Sequence, residues 1–239
     1  LSLIKDGPKE RRRFVDLELC QLNKFYLHNL ARYNRVLMQR NRLLKDIAFK
    51  PQLEDSLSVW DEELVKYGQA IIRLRREFIE SLQDKLIRIH KNISGGREEL
   101  LLSYEENVRE EAFSEAIIKA RDTEKKQRIT LVGPHRDDLL FQINGEDIRK
   151  FGSQGQKRTA ALSLKLAEIE LVKEKIEDYP ILLLDDVFSE LDKKRQNFLL
   201  DEISDVQSII TCTGLEDLIE NRFPIDKLYY VEGGKIECP

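Results

Sequence analysis

The chain has 239 residues, with 40 Lys and Arg against 44 Asp and Glu, a formal net charge of −4 and 35% charged residues. No apolar run approaches the roughly eighteen residues of a membrane-spanning helix, and Cys20, Cys212 and Cys238 lie far apart with no ligand-like spacing. A helical membrane protein, a disulfide scaffold and a zinc module are thereby excluded, and the expectation is a soluble, cytoplasmic chain long enough for one large or two modest domains.

The net charge hides an asymmetry. Residues 1–128 carry 26 basic against 22 acidic groups, residues 129–239 carry 14 against 22, and the first fifty carry 12 against 5. A basic surface that meets an anion such as a nucleic-acid backbone fits these counts. A solvated helix face fits them equally.

In chain order, Asp6-Gly7-Pro8 forms a turn whose proline suits the first position of a helix. Leu22, Phe25, Tyr26, Leu30, Tyr33, Val36, Leu37, Leu43, Leu44 and Ile47 then recur at steps of three and four, predicting a helix over about 22–48 that ends before Pro51. Ser56 or Ser58 is positioned to cap a second helix. Its stripe runs from Trp60 through Leu64, Ile71, Phe78, Leu82 and Leu86 to Ile93, and Ser94-Gly95-Gly96 stops it. Two long amphipathic helices joined by a short loop predict an antiparallel arm. A further helix is expected over about 105–122, with Val108, Ala112, Ala116, Ile117 and Ala120 on one face.

At Ile129 the period changes. Residues 129–132 are β-branched and predict a short strand, Gly133-Pro134 breaks it, and residues 139–143 predict a strand running into an Asn144-Gly145 turn. Helices over 155–177, 192–204 and 215–221 alternate with strands over 181–185, 207–211 and 227–231, which implies a mainly parallel, covered sheet. The expected division is a junction over 1–20, a helical arm lobe over 21–128 and an α/β body over 129–239. No G-x-x-x-x-G-K-[ST] phosphate loop occurs in the 239 residues, and the expectation is that it lies upstream of Leu1 in the intact protein.

Two motifs carry chemistry. Gly152-Ser153-Gln154-Gly155-Gln156-Lys157-Arg158 is a glycine-broken loop at the head of a helix, where free backbone N–H groups and the helix dipole favour phosphate. Ile181-Leu182-Leu183-Leu184-Asp185-Asp186 is an apolar strand, expected to be buried, that ends in two carboxylates where open α/β sheets collect ligands. With Ser189-Glu190-Leu191-Asp192 following, the series resembles the signature, Walker B and D-loop motifs of ABC-type ATPases. That resemblance implies that Ser153, Gly155 and Gln156, with the D-loop aspartate Asp192, contact ATP held by a second subunit. It implies further that Asp185 acts on Mg2+ through water and that Asp186 orients or deprotonates the attacking water. Gln154 stands where the family has the first of two glycines, and Asp186 where many members have glutamate; the shorter side chain implies slow hydrolysis. Thr211 or Thr213 takes the place of a switch histidine, and a purely structural role fits both.

Five stretches together, residues 7–16, 33–41, 133–138, 153–159 and 184–192, resemble the RecF family. The likeness extends over essentially the whole chain. It implies a partial ABC-type ATPase head, in the α/β class, with an inserted α-helical arm lobe. It also implies homodimerisation on ATP, binding of DNA as duplex and at single/double-strand junctions, and work with RecR and RecO to place RecA on single-stranded gaps. Weak ATPase activity is then expected of the intact protein and not of this chain alone. Alternatives are the ATPase subunit of another ABC-type system or, for this chain by itself, a non-catalytic docking module. The DNA-binding candidates are Arg11, Arg12, Arg13, Arg32, Arg35, Arg42 and Lys45, against the reading that Arg11 to Arg13 pair with acids where arm meets body. Arg40 falls on the apolar stripe and is expected to be paired, and His135-Arg136-Asp137-Asp138 is read as a polar loop near the nucleotide or dimer surface rather than a catalytic cluster.

Overall fold

The computed structural model describes residues 2–177, 179–188, 191–213 and 225–238. They form two compact units, 1–178 and 179–239. The division falls at 178/179 rather than at 128/129 because α4 (Leu57–Ser94) packs both against α3 (Lys24–Ile47) and against α6 (Gln154–Ile176).

The first unit is built on the α3–α4 hairpin. Tyr26 meets Arg75, Tyr33 lies over Gly68, and Arg40 pairs with Asp61. Each step of seven along α3 is matched by seven steps back along α4, the signature of an antiparallel pair whose contact seam repeats every two turns. Gly68 is what lets the two helices close here: a Cβ would lie 2.4 Å from the Phe113 ring and 3.0 Å from that of Tyr33. At 38 residues α4 extends for about 57 Å, and it ends where Gly95 takes up the left-handed conformation, φ 67°. Its start differs from expectation in one detail. Ser56 occupies the cap position without capping, and the Ser58 hydroxyl donates to the Asp55 carbonyl. Ahead of the hairpin come α1 (Ser2–Lys5) and α2 (Pro8–Leu22), the latter with its proline in the first turn as predicted.

Two sequence expectations fail between 97 and 132. The helix expected over 105–122 is instead β1 (Leu100–Glu105) followed by α5 (Phe113–Gln127). Leu100 and Leu102 alternate inward and pair with Ile143 and Phe141 of β2 (Asp138–Ile143), which a helix could not do. Residues 129–132 form no strand, because side chains hold their backbone. Thr130 N donates to Asn41 Oδ1 at 2.7 Å, Leu131 N donates to Glu124 Oε1 at 2.7 Å, and the Thr130 carbonyl accepts from His135 and Arg136. β2 turns back through Asn144 and Gly145, both at positive φ, into β3 (Glu146–Asp147). This sheet, β1-β2-β3, is antiparallel, contrary to the expected parallel one.

Among the described residues, parallel pairing is confined to the second unit, where β4 (Leu182–Asp185), α7 (Lys193–Glu202) and β5 (Ser208–Thr211) form a β-α-β crossover with Asp185 opposite Thr211. The apolar strand is less buried than expected. Ile181 and Leu183 are 64% and 71% exposed, since β4 pairs with β5 alone among the described residues. β6 (Tyr230–Glu232) and β7 (Lys235–Glu237) make an antiparallel hairpin. The helix expected over 215–221, and Ser189 and Glu190 of the D-loop series, lie outside the described residues. No described helix is long and apolar enough to cross a membrane.

Candidate nucleotide site

The glycine loop is shaped by contacts that can be traced residue by residue. Gly152 donates its N–H to the Ile148 carbonyl at 3.1 Å, and a Cβ at 152 would come within 2.5 Å of that oxygen, so the close approach requires glycine. Ser153 follows in extended conformation, φ −64° and ψ 162°, as the cap of α6. Its hydroxyl accepts from Gln156 N at 3.1 Å, while Gln156 Oε1 accepts from Ser153 N at 2.8 Å: a reciprocal capping box. The N–H groups of Gln154 and Gly155, in the first turn, have no intrahelical acceptor and stand at the positive end of the helix dipole. A Cβ at Gly155 would meet only Ser153 Oγ, at 3.9 Å. The missing side chain at 155 is therefore not needed for packing within the chain, and it leaves room for an anion to reach the backbone.

In the second unit Asp185 and Asp186 end β4, and Thr211 joins them. The Thr211 hydroxyl donates to Asp185 Oδ1 at 2.6 Å and accepts from Asp186 N at 3.1 Å. Asp186 adopts φ 49°, a left-handed conformation that aspartate tolerates better than most residues. Burial, followed by the nearby Asp186 carboxylate, pushes the Cys212 thiol up. Of the two threonines, both exposed, Thr211 is the one bonded to the carboxylate pair. Asp192 acts locally as the cap of α7, with Oδ1 accepting from Arg195 N at 3.0 Å and Oδ2 paired with the Arg195 guanidinium.

A residue the sequence did not single out, Gln196, is buried and donates to the carbonyls of Phe188 and Leu191, on either side of the D-loop serine and glutamate. Its spacing of four from Asp192 was the available signal.

The described residues contain no cluster of three or more metal-ligating side chains. A carboxylate at the end of a strand, as Asp185 is, suits Mg2+, which keeps several waters and takes one or two carboxylates together with phosphate oxygens. Asp185, in the second unit, would hold it; in the first unit, the open backbone at 153–156 suits a phosphate.

The basic candidates divide. Arg11 is corrected: it is 2% exposed, its Nε and Nη2 clasp Asp138 at 2.6 and 2.9 Å, and its guanidinium is spent on that contact. Burial, the largest single influence, raises the Asp138 carboxyl, but the Arg11 hydrogen bond and charge, the Leu139 N–H and the Arg149 charge together hold it below the ordinary value. Arg12 is half-buried and donates to the Asp137 carbonyl. Arg13 is exposed, near Glu10. Arg32, Arg35, Arg42 and Lys45 are exposed along α3, and the last two line a shallow groove with Asn34, Met38 and Asn41. Arg40 is paired as expected, wholly buried against Asp61, Glu124 and Thr130.

His135 is partly buried in the short turn Pro134–Arg136, held against α3 through Tyr33. Nε2 donates to the Thr130 carbonyl at 3.1 Å, so Nδ1 is the acceptor for the Tyr33 hydroxyl at 2.7 Å. Burial lowers its pKa from 6.5 to about 4. The unfolded chain therefore binds the extra proton first. Stability fully present above pH 6.5 is lost as pH falls toward 4, by up to about 3 kcal/mol. His135→Gln, whose amide can accept and donate in the same places, should flatten the urea-midpoint profile over that window; parallel profiles for the two proteins would contradict the assignment.

Over its full length the chain superposes on an SMC head domain with an extended coiled coil from Pyrococcus furiosus, with a TM-score of 0.53 at 17% identity and 58% of that chain covered. A likeness at that identity shows the fold alone: a mixed α/β head of the kind SMC heads have, carrying a helical arm lobe.

No family model matches the chain. Among curated proteins it is 58% identical over 237 residues to the DNA replication and repair protein RecF of Agathobacter rectalis, and 57% identical to that of Lachnoclostridium phytofermentans. Each alignment covers 99% of this chain and 66% of the relative. A solved structure of the recombination mediator protein RecF with ATP, in the RecFOR pathway, matches with a TM-score of 0.89 at 36% identity, covering 100% of this chain and 65% of that one. The chain belongs to the RecF family. It spans 66% of the length of those curated relatives.

Proposed function

We propose that this chain is the arm- and signature-bearing portion of an ATP-gated DNA clamp, a recombination mediator acting in DNA replication and repair. The observation that carries the reading is the loop at 152–156: capped, glycine-pinched at 152, and open at 155 where no internal packing requires it to be. The RecF relatives, one of them solved with ATP, support the same reading.

In the full-length protein the phosphate loop lies outside these 239 residues, and the signature loop faces nucleotide held by a second copy. Bound Mg-ATP supplies the phosphate charge that the loop recognises and the bond whose hydrolysis resets the dimer. Ser153 and the N–H groups of Gln154 and Gly155 bind the terminal phosphate, while Gln156 holds the loop in register. Asp185, oriented by Thr211, would hold the Mg2+ that accompanies ATP, through water. Asp186 orients the attacking water, and its short side chain keeps turnover slow. Asp192 keeps the D-loop helix in place, and Thr213 remains free for contact with the nucleotide. Because the phosphate contacts exist only in the closed form, ATP shifts the equilibrium toward it. The closed dimer holds duplex DNA and single/double-strand junctions, and acts with RecR and RecO to help RecA onto gaps.

The exposed cations of α3, with Arg13, bind phosphates without reading sequence. Neutralising Arg35, Arg42 and Lys45 to Gln in the full-length protein should weaken gel shifts of unrelated duplexes alike. It should also reduce the log–log salt slope by about 2 to 3, near 0.9 per lost phosphate contact. An unchanged slope would remove α3 from the DNA surface, and no shift by the unaltered protein would return the reading to another ABC-type system.

A further inference from the structure

The signature loop is wired to the long arm helix by a chain of side chains that no motif announces. Gln156 Nε2 donates to Glu98 Oε1 at 3.1 Å; the other Glu98 oxygen, Oε2, lies 3.2 Å from Nε2 of His90; and His90 Nδ1 is 3.0 Å from Ser163 Oγ, whose hydroxyl is 2.8 Å from the Thr159 carbonyl. His90 is wholly buried on α4, Ser163 is buried on α6, and Glu98 sits just beyond the Gly95-Gly96 end of α4.

The chemistry of the chain is directional. A carboxylate only accepts, so it draws the NH2 end of the Gln156 amide toward itself and leaves the carbonyl end for Ser153 N, as the capping box requires. His90 must present Nε2–H to the second carboxylate oxygen, which fixes the direction in which the first one points. Without Glu98 only the Ser153 N–H is left to disfavour the flipped Gln156 amide, in which NH2 meets N–H, donor against donor, and the preference that Glu98 adds from the other end is lost. Because His90 belongs to α4, a shift of the arm helix along α6 moves Glu98 and with it the loop.

We propose that Glu98, anchored by His90, is the positioning residue of the signature loop. It selects the Gln156 orientation that keeps Ser153 and the 154–155 N–H groups ready for phosphate, and it ties that readiness to the arm. This rests on the reading of 152–156 as a nucleotide-contacting loop.

The test is a double-mutant cycle in the full-length protein, with ATP-dependent dimer affinity measured by sedimentation and ATP binding by the monomer measured separately. Glu98→Ala and Gln156→Ala should each weaken dimerisation about tenfold, the size of one charge-assisted hydrogen bond. Combined, they should cost no more than either alone, because they break one chain. Monomer ATP binding should stay as in the unaltered protein, and the thermal midpoint should fall by no more than the loss of a cap or of one buried hydrogen bond. Glu98→Gln, which keeps the volume but sets its own NH2 against a donor, should fall on the same side as Glu98→Ala. Should Glu98→Ala fold less well, Glu98→Gln carries the cycle. Normal dimerisation by both Glu98 variants, or effects that multiply in the double variant, would overturn the proposal. Failure of the unaltered protein to dimerise on ATP would instead overturn the nucleotide reading beneath it.

Discussion

Ser153→Arg in the full-length protein is expected to abolish ATP-dependent dimerisation, by a hundredfold or more in affinity, while single subunits still bind ATP. The substitution suits the backbone, since Ser153 is extended and exposed, so the fold loses little more than the cap, about 1 kcal/mol. What changes is the space ahead of α6. A long cationic side chain fills the approach to the free N–H groups of residues 154 and 155 and holds a subunit carrying nucleotide at a distance. Ser153→Ala separates the two effects: it deletes the hydroxyl but leaves the approach open, and should weaken dimerisation only about fivefold, again near 1 kcal/mol. Sedimentation velocity with and without ATP measures both. Equal, small effects from the two variants would mean that the hydroxyl caps the helix and nothing approaches it.

Arg40→Met should destabilise the chain by about 3 to 5 kcal/mol, the cost of leaving buried carboxylates without their cation. Arg40 is wholly buried, with Asp61 at 2.7 Å and Glu124 at 2.7 Å on two other helices, so this one guanidinium neutralises the place where α3, α4 and α5 meet. Arg121 still reaches Asp61 at 2.7 Å, and Leu131 N still bonds Glu124, which sets the loss nearer the lower figure. Adding Glu124→Leu to Arg40→Met should recover part of it by removing the stranded charge. Urea unfolding of this chain reads both effects. A midpoint within experimental error of the unaltered chain would show that the cluster is no more than a surface-like ion pair.

The helical part of the fold was legible because a stripe at steps of three and four has one physical meaning when it runs for twenty or more residues, as it does along α3 and α4. The head of α6 was legible for a local reason as well, a serine followed three residues later by glutamine. Asn144-Gly145 marked its turn because few other pairs accept two positive φ values. The failures have a common cause. Residues 129–132 have strand-like composition, yet Asn41, Glu124 and His135, from distant parts of the chain, take their backbone hydrogen bonds. Leu100-Leu101-Leu102 carries no periodicity until Phe141 and Ile143 come to lie opposite.

The site divides in the same way. The motif residues of the signature loop and the carboxylate pair stand out in sequence because their spacing along the chain is the message. Arg11 did not declare itself: its partner, Asp138, is 127 residues away, and three successive arginines look alike until one of them is buried. Glu98, 58 residues from Gln156, is an ordinary acidic residue in sequence and a determinant of loop geometry only in the folded chain.

The central claim is that the loop at 153–156 serves the nucleotide of a second subunit, and mixing two inactive variants of the full-length protein tests it most directly. Ser153→Arg disables the signature side and Asp186→Asn the hydrolytic side; a mixed dimer carries one blocked approach where the Ser153→Arg homodimer carries two, and the mixture is read at subunit concentrations that drive pairing. In a mixed dimer with sites shared across the interface, both defects fall in one site and the other is whole. ATP hydrolysis by the mixture should therefore rise well above that of either variant alone. If each site is built within one subunit, every site in the mixture carries a defect, and activity no greater than the average of the two variants would contradict the account.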